Sequence, residues 1–164
     1  MDIQDFAKVV EGKRRELEEL MRSTKLKDIV GTEAVGHYKA SFDNEGFTDE
    51  TLNPWKEVER RKPESPWHGH SGQTGKFSSE RAAAPILTGE TRLLKNAIRY
   101  TYLPDGVRVS NSVPYAAVHQ YGLQAKIYGK KPFTMPKRPF IGRSKVMTQK
   151  IQNKILQRLK ELVR

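Results

Sequence analysis

A long segment without periodicity in the middle of the chain is the feature that most constrains its fold. Residues 54–84, which contain "RRKPESPWHGHSGQTGKFSSERAAA", are rich in proline, glycine, serine and charged residues and repeat at neither the helical nor the strand period. We interpret residues 60–84 as a long mobile loop, whose start is packed against the core by Trp55 and Val58. The regular structure must therefore come from the parts of the chain on either side.

Helical periodicity dominates both ends of the chain. Apolar residues that recur at steps of three and four predict helices over residues 3–22, about 28–43 and 145–164. "STK" at residues 23–25 separates the first two helices, and "DNEG" at residues 43–46 ends the second. The apolar faces are formed by Ile3, Phe6, Val10, Leu17 and Leu20 in the first helix, by Ile29, Val30, Ala34, Val35, Tyr38 and Phe42 in the second, and by Met147, Ile151, Ile155, Leu159 and Leu162 in the last.

Residues 85–144 alternate between helix, turn and strand signals. "ILTGETRLLKNAIRYTYL" predicts a short helix with Thr88 or Thr91 at its start and Leu87, Leu93, Leu94, Ile98 and Tyr102 on one face. "LPDG" predicts a turn and "VRVSNS" a strand. "VPYAAVHQYG" predicts one or two helical turns, opened by Pro114 and closed by Gly122. "AKIYGKKPFTM" indicates a hairpin with Gly129 near its tip, and "RPFIG" a short strand or anchored loop.

These elements predict an α+β protein, in which a small, mainly antiparallel β-sheet is packed by N-terminal and C-terminal helices and carries long mobile loops. We treat residues 1–164 as a single domain. Its parts are N-terminal helices (1–45), the mobile loop (60–84), a motif-bearing α+β core (85–144) and a C-terminal helix (145–164). No run approaches the ~18 apolar residues of a membrane span, so we expect no membrane partner.

Charge is distributed unevenly along the chain. The net charge is +11, but residues 1–60 hold 10 Lys/Arg and 14 Asp/Glu, whereas residues 61–142 hold 13 and 4 and residues 143–164 hold 7 and 1. A basic second half is typical of nucleic-acid binding. An acidic front and a basic back would equally well bring the front of one subunit to the back of the next. The charge alone leaves both interpretations open.

The residues offer little for catalysis or for a cofactor. The chain has no cysteine, and 14 of its 19 acids lie in the first 60 residues. His68 and His70 form the only close histidine pair, too few ligands for a zinc site, so a zinc hydrolase is a distant alternative. His119 has no nucleophile or acid nearby in sequence, and we interpret it as a packing residue. We therefore expect no enzyme activity, no metal and no cofactor.

A DNA-binding accessory protein is the main alternative function. Segment 126–138, "KIYGKKPFTMPKR", interleaves basic residues with Tyr128 and Phe133, a mixture suited to phosphates and bases. The C-terminal helix would add further cations. The candidate contacts are Lys126, Lys130, Lys131, Lys137 and Arg138.

Three motifs in order resemble a family of tailed-bacteriophage virion morphogenesis proteins, the tail-completion or head–tail joining proteins of Mu-like and P2-like phages. The motifs are "PILTGETRLLKNAI" (85–98), "VRVSNSVPYAAVHQYG" (107–122) and "MPKRPFIGRS" (135–144). Upstream, "FDNEGFTDETLNPWKEV" (42–58) is similar to a further family segment. The matching positions are candidate structural-motif or interface residues: Trp55, Gly89, Arg92, Tyr115, His119, Gln120, Gly122, Arg138, Pro139 and Phe140. Asn96 departs from the serine of many members.

The resemblance implies a structural protein that acts at the head-proximal end of the phage tail. It implies a ring of several subunits, hexamer-like, whose partners are further copies of itself and tail-tube, terminator or head-connector proteins, with transient contact to DNA. The work would take place in the bacterial host cytoplasm during assembly, and the protein would become part of the virion. Within the motif, we expect the side chains of His119 and Gln120 to hydrogen-bond to backbone near "RPFIG".

Overall fold

The computed structural model describes residues 2–70, 75–89, 91–127, 129 and 131–163. Its secondary structure is mixed, with long helices at both ends and short elements between them. The helices are α1 (Ile3–Arg22), α2 (Lys25–Asp43), α3 (Ser79–Ala83), α4 (Leu93–Asn96), α5 (Ala116–Tyr121) and α6 (Lys145–Val163), with a 3-10 turn at Glu59–Arg61. The strands are β1 (Gly46–Thr48), β2 (Leu52–Pro54), β3 (Ile98–Leu103), β4 (Gly106–Asn111), β5 (Gln124–Ile127) and β6 (Lys131–Thr134).

Helix α2 lies at the centre of the molecule. It packs against α6, β3, β4 and β1, and its buried face supplies Ala34, Tyr38 and Phe42 to the core. The ring of Phe42 lies edge-on to that of Trp55 at 5.5 Å and contacts that of Phe140 at 5.2 Å between centroids. Ile86, Leu94, Ile98, Val113 and Ala116 complete the same cluster. One core therefore joins the second predicted helix to the motif-bearing segment across the irregular middle of the chain.

The strands form three separate two-stranded antiparallel sheets in the described residues, β1–β2, β3–β4 and β5–β6. The predicted fold class is confirmed, although the single small sheet is replaced by these three hairpins. The β1–β2 hairpin, which the sequence did not predict, holds the start of α6. Asp49 in its turn accepts a hydrogen bond from the backbone N–H of Lys145 at 2.8 Å, and Ser144 Oγ donates to the Asp49 carbonyl at 3.3 Å.

Residues 98–103 form strand β3, so the helix predicted through Tyr102 is wrong beyond a single turn. Only Leu93–Asn96 are helical, and Leu87 and Thr88 lie before this turn in a loop. Tyr100 and Tyr102 pair with Val109 and Val107 of β4. Ile98, Tyr100 and Tyr102 thus share one face of β3, toward α2, and pairing with the next strand across the predicted turn outweighs the local helical spacing.

The β3–β4 hairpin lies close against α2. A Cβ on Gly31 of α2 would lie 2.5 Å from the ring of Tyr100, so only glycine allows this approach. The hydroxyl groups of Tyr100 and Tyr102 both donate to Asp28 Oδ1, at 3.0 and 2.5 Å. These bonds, that of Tyr102 first, lower the pKa of Asp28 below its usual value. Asp28 was predicted to start α2, but the helix begins earlier, at Lys25, and Asp28 anchors the hairpin.

The middle of the chain is mostly irregular, as predicted, but contains the 3-10 turn and helix α3, which were not predicted. Its start is packed as expected, because Trp55 is buried and its Nε1 donates to the Pro139 carbonyl at 2.8 Å. The mobility of residues 60–84 and the division of the domain stay predictions.

The predicted C-terminal helix is confirmed as α6, which packs on α2 and α1. Met147, Ile151 and Ile155 of its predicted apolar face are half-buried. The neighbouring cations Lys150 and Lys154 both pair with Glu33, a buried carboxylate of α2. Among the described residues, no helix is long and apolar enough to cross a bilayer.

Candidate functional site

Helix α5 is fastened to the "RPFIG" loop by the side chain of Gln120. Its Oε1 accepts hydrogen bonds from the backbone N–H groups of Phe140 (2.9 Å) and Ile141 (3.2 Å), and its Nε2 donates to the Ile141 carbonyl (2.6 Å). One amide therefore satisfies three backbone groups of a segment that belongs to no strand. We call this contact the Gln120 clasp. It confirms the predicted bond from Gln120 and shows that "RPFIG" is an anchored loop.

Gly122 ends α5 in the left-handed conformation, with φ 70° and ψ 46°, as its position predicted. A Cβ at this position would lie 3.0 Å from Lys137 Cβ and 3.0 Å from the Met135 carbonyl oxygen. Both the dihedral angle and the close approach thus favour glycine. The chain leaves α5 here and returns beside it at Lys137.

Arg138 is a buried anchor rather than a surface cation. The residue is 4% exposed, and its Nε and Nη2 donate to the carbonyls of Lys56 (2.9 Å) and Glu57 (3.4 Å). Burial lowers the pKa of its guanidinium, and the Glu57 carboxylate opposes this shift. With the bond from Trp55 to Pro139, these contacts fix the "RPFIG" loop to the segment that follows β2.

His119 does not form the predicted side-chain bond. Its Nδ1 is buried and has no hydrogen-bond partner among the residues that the structure describes, and its ring lies edge-on to that of Tyr115 with the centroids 6.0 Å apart. Its backbone carbonyl accepts instead from the N–H of Arg138 at 2.8 Å. Burial, and then the charge of Arg138, lower the pKa of the imidazole, so it is neutral at pH 7.

The loop before α4 contains an unusual run of backbone conformations. Leu87, Gly89 and Arg92 have φ values of 59°, 55° and 51°. Residues other than glycine rarely adopt these positive φ values, so the backbone is strained at Leu87 and Arg92. The side chain of Thr88, which is buried, donates to the Pro85 carbonyl at 2.7 Å and tightens the loop.

A cavity of about 400 Å³ joins this loop to α5. Its walls include four of the residues singled out by sequence, Gly89, Tyr115, His119 and Arg138, together with Arg60 and Thr88. The other candidates lie around it. Arg92 is exposed at the start of α4. The residues that join α5 to the "RPFIG" loop form the clasp region: Trp55, His119, Gln120, Gly122, Arg138, Pro139 and Phe140. The three motifs thus meet in one place, where they act as a framework.

Two residues of this framework were missed by sequence reasoning. Arg60 Nη1 donates to the carbonyls of Arg81 and Ala84, each at 2.6 Å, and its Nη2 donates to that of Pro85 at 2.8 Å. Glu45 Oε1 accepts a hydrogen bond from the backbone N–H of Ile86 at 2.7 Å and forms an ion pair with Arg61. Both tie residues 81–86 to the body. No local pattern distinguishes them, because their partners are backbone groups far along the chain.

The candidate nucleic-acid residues are divided between two environments. Lys126, Lys131 and Lys137 are exposed, the first two on the β5–β6 hairpin, and none has an ion-pair partner in the described part of the chain. Lys130 and Tyr128 lie outside the described residues. Arg138 is buried and bonded to carbonyls, which is inconsistent with a phosphate contact.

The histidine pair offers no metal site in this fold. His68 packs against the ring of Phe77, and Nδ1 of His70 lies 2.6 Å from the Gly75 carbonyl oxygen. Within residues 2–70, 75–89, 91–127, 129 and 131–163, no three His, Cys, Asp or Glu side chains are placed to hold a metal ion.

Comparison with known proteins gives one family. The sequence profile of the phage virion morphogenesis family matches residues 57–160, which is more than half of the chain. The match includes the loop before α4, helix α5, the "RPFIG" loop and most of α6. No curated protein and no solved structure matches significantly. Because the match covers all three motifs that the fold brings together, the chain belongs to the phage virion morphogenesis family.

Proposed function

We propose that the protein is a structural, non-enzymatic part of a phage virion that completes the head-proximal end of the tail or joins the tail to the head. Membership of the phage virion morphogenesis family is the observation that carries this proposal. The protein would act in the bacterial host cytoplasm during assembly. Its partners would be further copies of itself and tail-tube, terminator or head-connector proteins.

The charge distribution supports a ring of like subunits. Residues 1–60 carry a net charge of −4 and residues 61–164 a net charge of +15. Part of this difference is neutralised within the molecule, where Glu33 pairs with Lys150 and Lys154. The remaining opposite charges on different parts of one chain favour head-to-tail contacts, and such contacts close into rings when the rotation between subunits allows it.

The division between fixed and exposed segments supports an assembly role. The Gln120 clasp and Arg138 make a rigid centre, whereas most residues of the β5–β6 hairpin are exposed. An isolated two-stranded hairpin is only marginally stable in water, so a partner surface would stabilise it. Because the hairpin is exposed and basic, we expect it to contact a neighbouring subunit or a tail protein.

Complementation of a deletion phage tests the role. Without this gene, we expect lysates to contain filled heads and unattached or irregular tails in negative-stain images. Adding the purified protein should restore joined particles and infectivity. A double substitution of the hairpin, Lys126→Glu with Lys131→Glu, should lower the restored titre by at least about tenfold if opposite charges guide docking.

The matched control reverses two exposed lysines elsewhere, Lys25→Glu with Lys160→Glu, and should complement like the unaltered protein. Normal virions from the deletion phage would refute the proposed role. Equal restored titres from both double variants would show that the hairpin lysines are not needed for this role.

DNA binding is kept as an alternative because Lys126, Lys131 and Lys137 are exposed without ion-pair partners in the described residues. The C-terminal helix adds less than its charge suggests, because Lys150 and Lys154 pair with Glu33. A duplex titration tests this alternative. Affinity should fall steeply as salt rises from ~50 to ~200 mM if several lysines contact phosphates. No binding at ~150 mM salt would exclude this function.

A further inference from the structure

Helix α1 exposes almost all of its apolar face. Leu20 is its only buried residue, whereas Ile3 is 82%, Phe6 58% and Val10 49% exposed. Leu17 belongs to the same row, and Val9 and Met21 flank it, all three exposed. We call Ile3, Phe6, Val9, Val10, Leu17 and Met21 the α1 stripe. It is formed by spacings of three, four and seven residues, which place its members on one side of the helix.

The polar side of α1 is already satisfied within the helix. Arg14 bonds to Glu11 at 2.7 Å and to Glu18 at 2.5 Å, and Arg15 bonds to Glu11 at 3.4 Å. The bonds from Arg14, and then Arg15, hold the pKa of Glu11 at about 2. These pairs support a helix that extends from the body with little packing. What α1 leaves open is therefore apolar surface.

The charges of α1 argue against a membrane or nucleic acid as the surface that covers the stripe. Residues 2–22 contain six acids and five bases. Helices that lie on membranes, and helices that bind nucleic acid, carry an excess of Lys and Arg. A nearly neutral amphipathic helix fits an apolar protein surface instead.

The spacing of the stripe matches itself in reverse. Ile3 and Leu17 lie seven residues on either side of Val10. When two such helices run antiparallel, Val10 meets Val10 of the second copy, and Ile3 meets its Leu17. Phe6 then lies over the aliphatic stem of Lys13 from the other helix, whose ammonium group can reach water.

The area of the stripe is sufficient for a dimer. In this register Met21 lies beyond Ile3 of the second helix, and covering the other five side chains removes on the order of 500 Å² of apolar surface per copy, or ~1,000 Å² for the pair, which is where specific interfaces begin. We propose that the α1 stripe pairs antiparallel with the α1 stripe of a second copy, with a two-fold axis beside Val10. This contact is isologous, so it goes beyond the head-to-tail ring of the proposed function and does not depend on it.

Cysteine crosslinking tests the geometry directly, because the chain contains no cysteine of its own. Val10→Cys should form a disulfide-linked dimer under mild oxidation. Ile3→Cys alone should not, but a mixture of Ile3→Cys and Leu17→Cys should form the mixed dimer. Lys8→Cys, on the opposite side of α1, is the control and should stay monomeric on a denaturing gel.

Crosslinking of Ile3→Cys to itself would indicate a parallel pair and overturn the proposal. So would a thiol at Val10 that links only to another tail protein and never to its own copy.

Sedimentation of the full chain supplies an independent readout. Val10→Glu should raise the dimer dissociation constant by about 100-fold or more, because each pair would bury two carboxylates against each other. Lys8→Glu is the matched control and should leave the dimer unchanged. Helical circular dichroism should be equal in both variants, since neither side chain is buried in the monomer.

A strictly monomeric unaltered protein at all concentrations overturns the inference. The two proposals fail separately. A monomeric protein that restores the deletion phage contradicts only the α1 pair, and a dimer that does not restore it contradicts only the proposed function.

Discussion

The clasp region and helix α1 contain similar residue types but use them in opposite ways. In the clasp region, Gln120, Arg138 and Trp55 bond to backbone groups about twenty to more than eighty residues away in sequence. In α1, the bonds of the charged side chains span only three or four residues. The first pattern holds the fold together, and the second supports a helix that packs on the rest of the molecule through Leu20, near its end. Side chains in the clasp region should therefore determine stability, and those of α1 should determine association.

Phenylalanine provides the largest test of this difference. Phe140 is 1% exposed and contacts Phe42, so Phe140→Ala should lower the free energy of unfolding by about 3–5 kcal/mol. Phe6→Ala on α1 should change it by less than about 0.5 kcal/mol in dilute protein. Urea unfolding of both variants measures the two values. Similar losses of unfolding free energy in the two variants would contradict this difference between the two regions.

Glutamine provides the next test. Gln120→Ala leaves two partly buried N–H groups and one carbonyl without this partner and should cost about 2–4 kcal/mol. Gln4→Ala, at an exposed position of α1, should be nearly neutral. Thermal unfolding and exchange of the Phe140 and Ile141 amides report the effect. Unchanged amide protection in Gln120→Ala would show that the clasp is dispensable.

Glycine should give effects of opposite sign in the two regions. Gly122→Ala meets a left-handed backbone and two contacts at 3.0 Å, so it should destabilise the protein by about 1–3 kcal/mol. Gly12→Ala lies inside α1 with nothing within 4 Å, so it should stabilise that helix by about 0.5–1 kcal/mol. Denaturant midpoints give the signs. A loss of stability in both variants would mean that α1 is more closely packed than described.

Low pH should lower the stability of the protein through His119 in the clasp region, by less than the substitutions above. The pKa of His119 is lowered in the folded protein, so folding favours the neutral imidazole. Its contribution is complete above the unfolded pKa of about 6.5 and is lost as the pH falls below it, with a slope of at most about 1.4 kcal/mol per pH unit. His119→Phe keeps a ring beside Tyr115 and should flatten the stability profile between about pH 7 and 5. An identical profile in both proteins would contradict the assigned burial.

Local signals predicted much of the framework. Pro114 and Gly122 marked the bounds of α5, and of the two side-chain bonds expected between this helix and "RPFIG", that of Gln120 is present. The predictions failed where contacts with other elements decide the outcome. Ile98 and Tyr102 fit both a helix and a strand, and pairing with β4 selected the strand.

The framework residues that were missed share a related cause. Arg60 and Glu45 bond to backbone groups that only the fold brings near. Leu87 adopts a left-handed conformation that its residue type disfavours, so no rule based on composition could place it. For His119, the sequence indicated packing but not an unpaired nitrogen, because burial depends on Tyr115 and Arg138 together.

The two ends of the β5–β6 hairpin lie side by side. The N–H of Met135 donates to the Leu123 carbonyl at 3.0 Å, and Gly122 lies against Lys137. The segment between these contacts therefore begins and ends at the same part of the framework. Its length and composition can therefore change without altering the clasp. An epitope or a fluorescent reporter inserted at Gly129 should leave the fold intact, and the same freedom would let members of the family differ in this hairpin without losing the clasp.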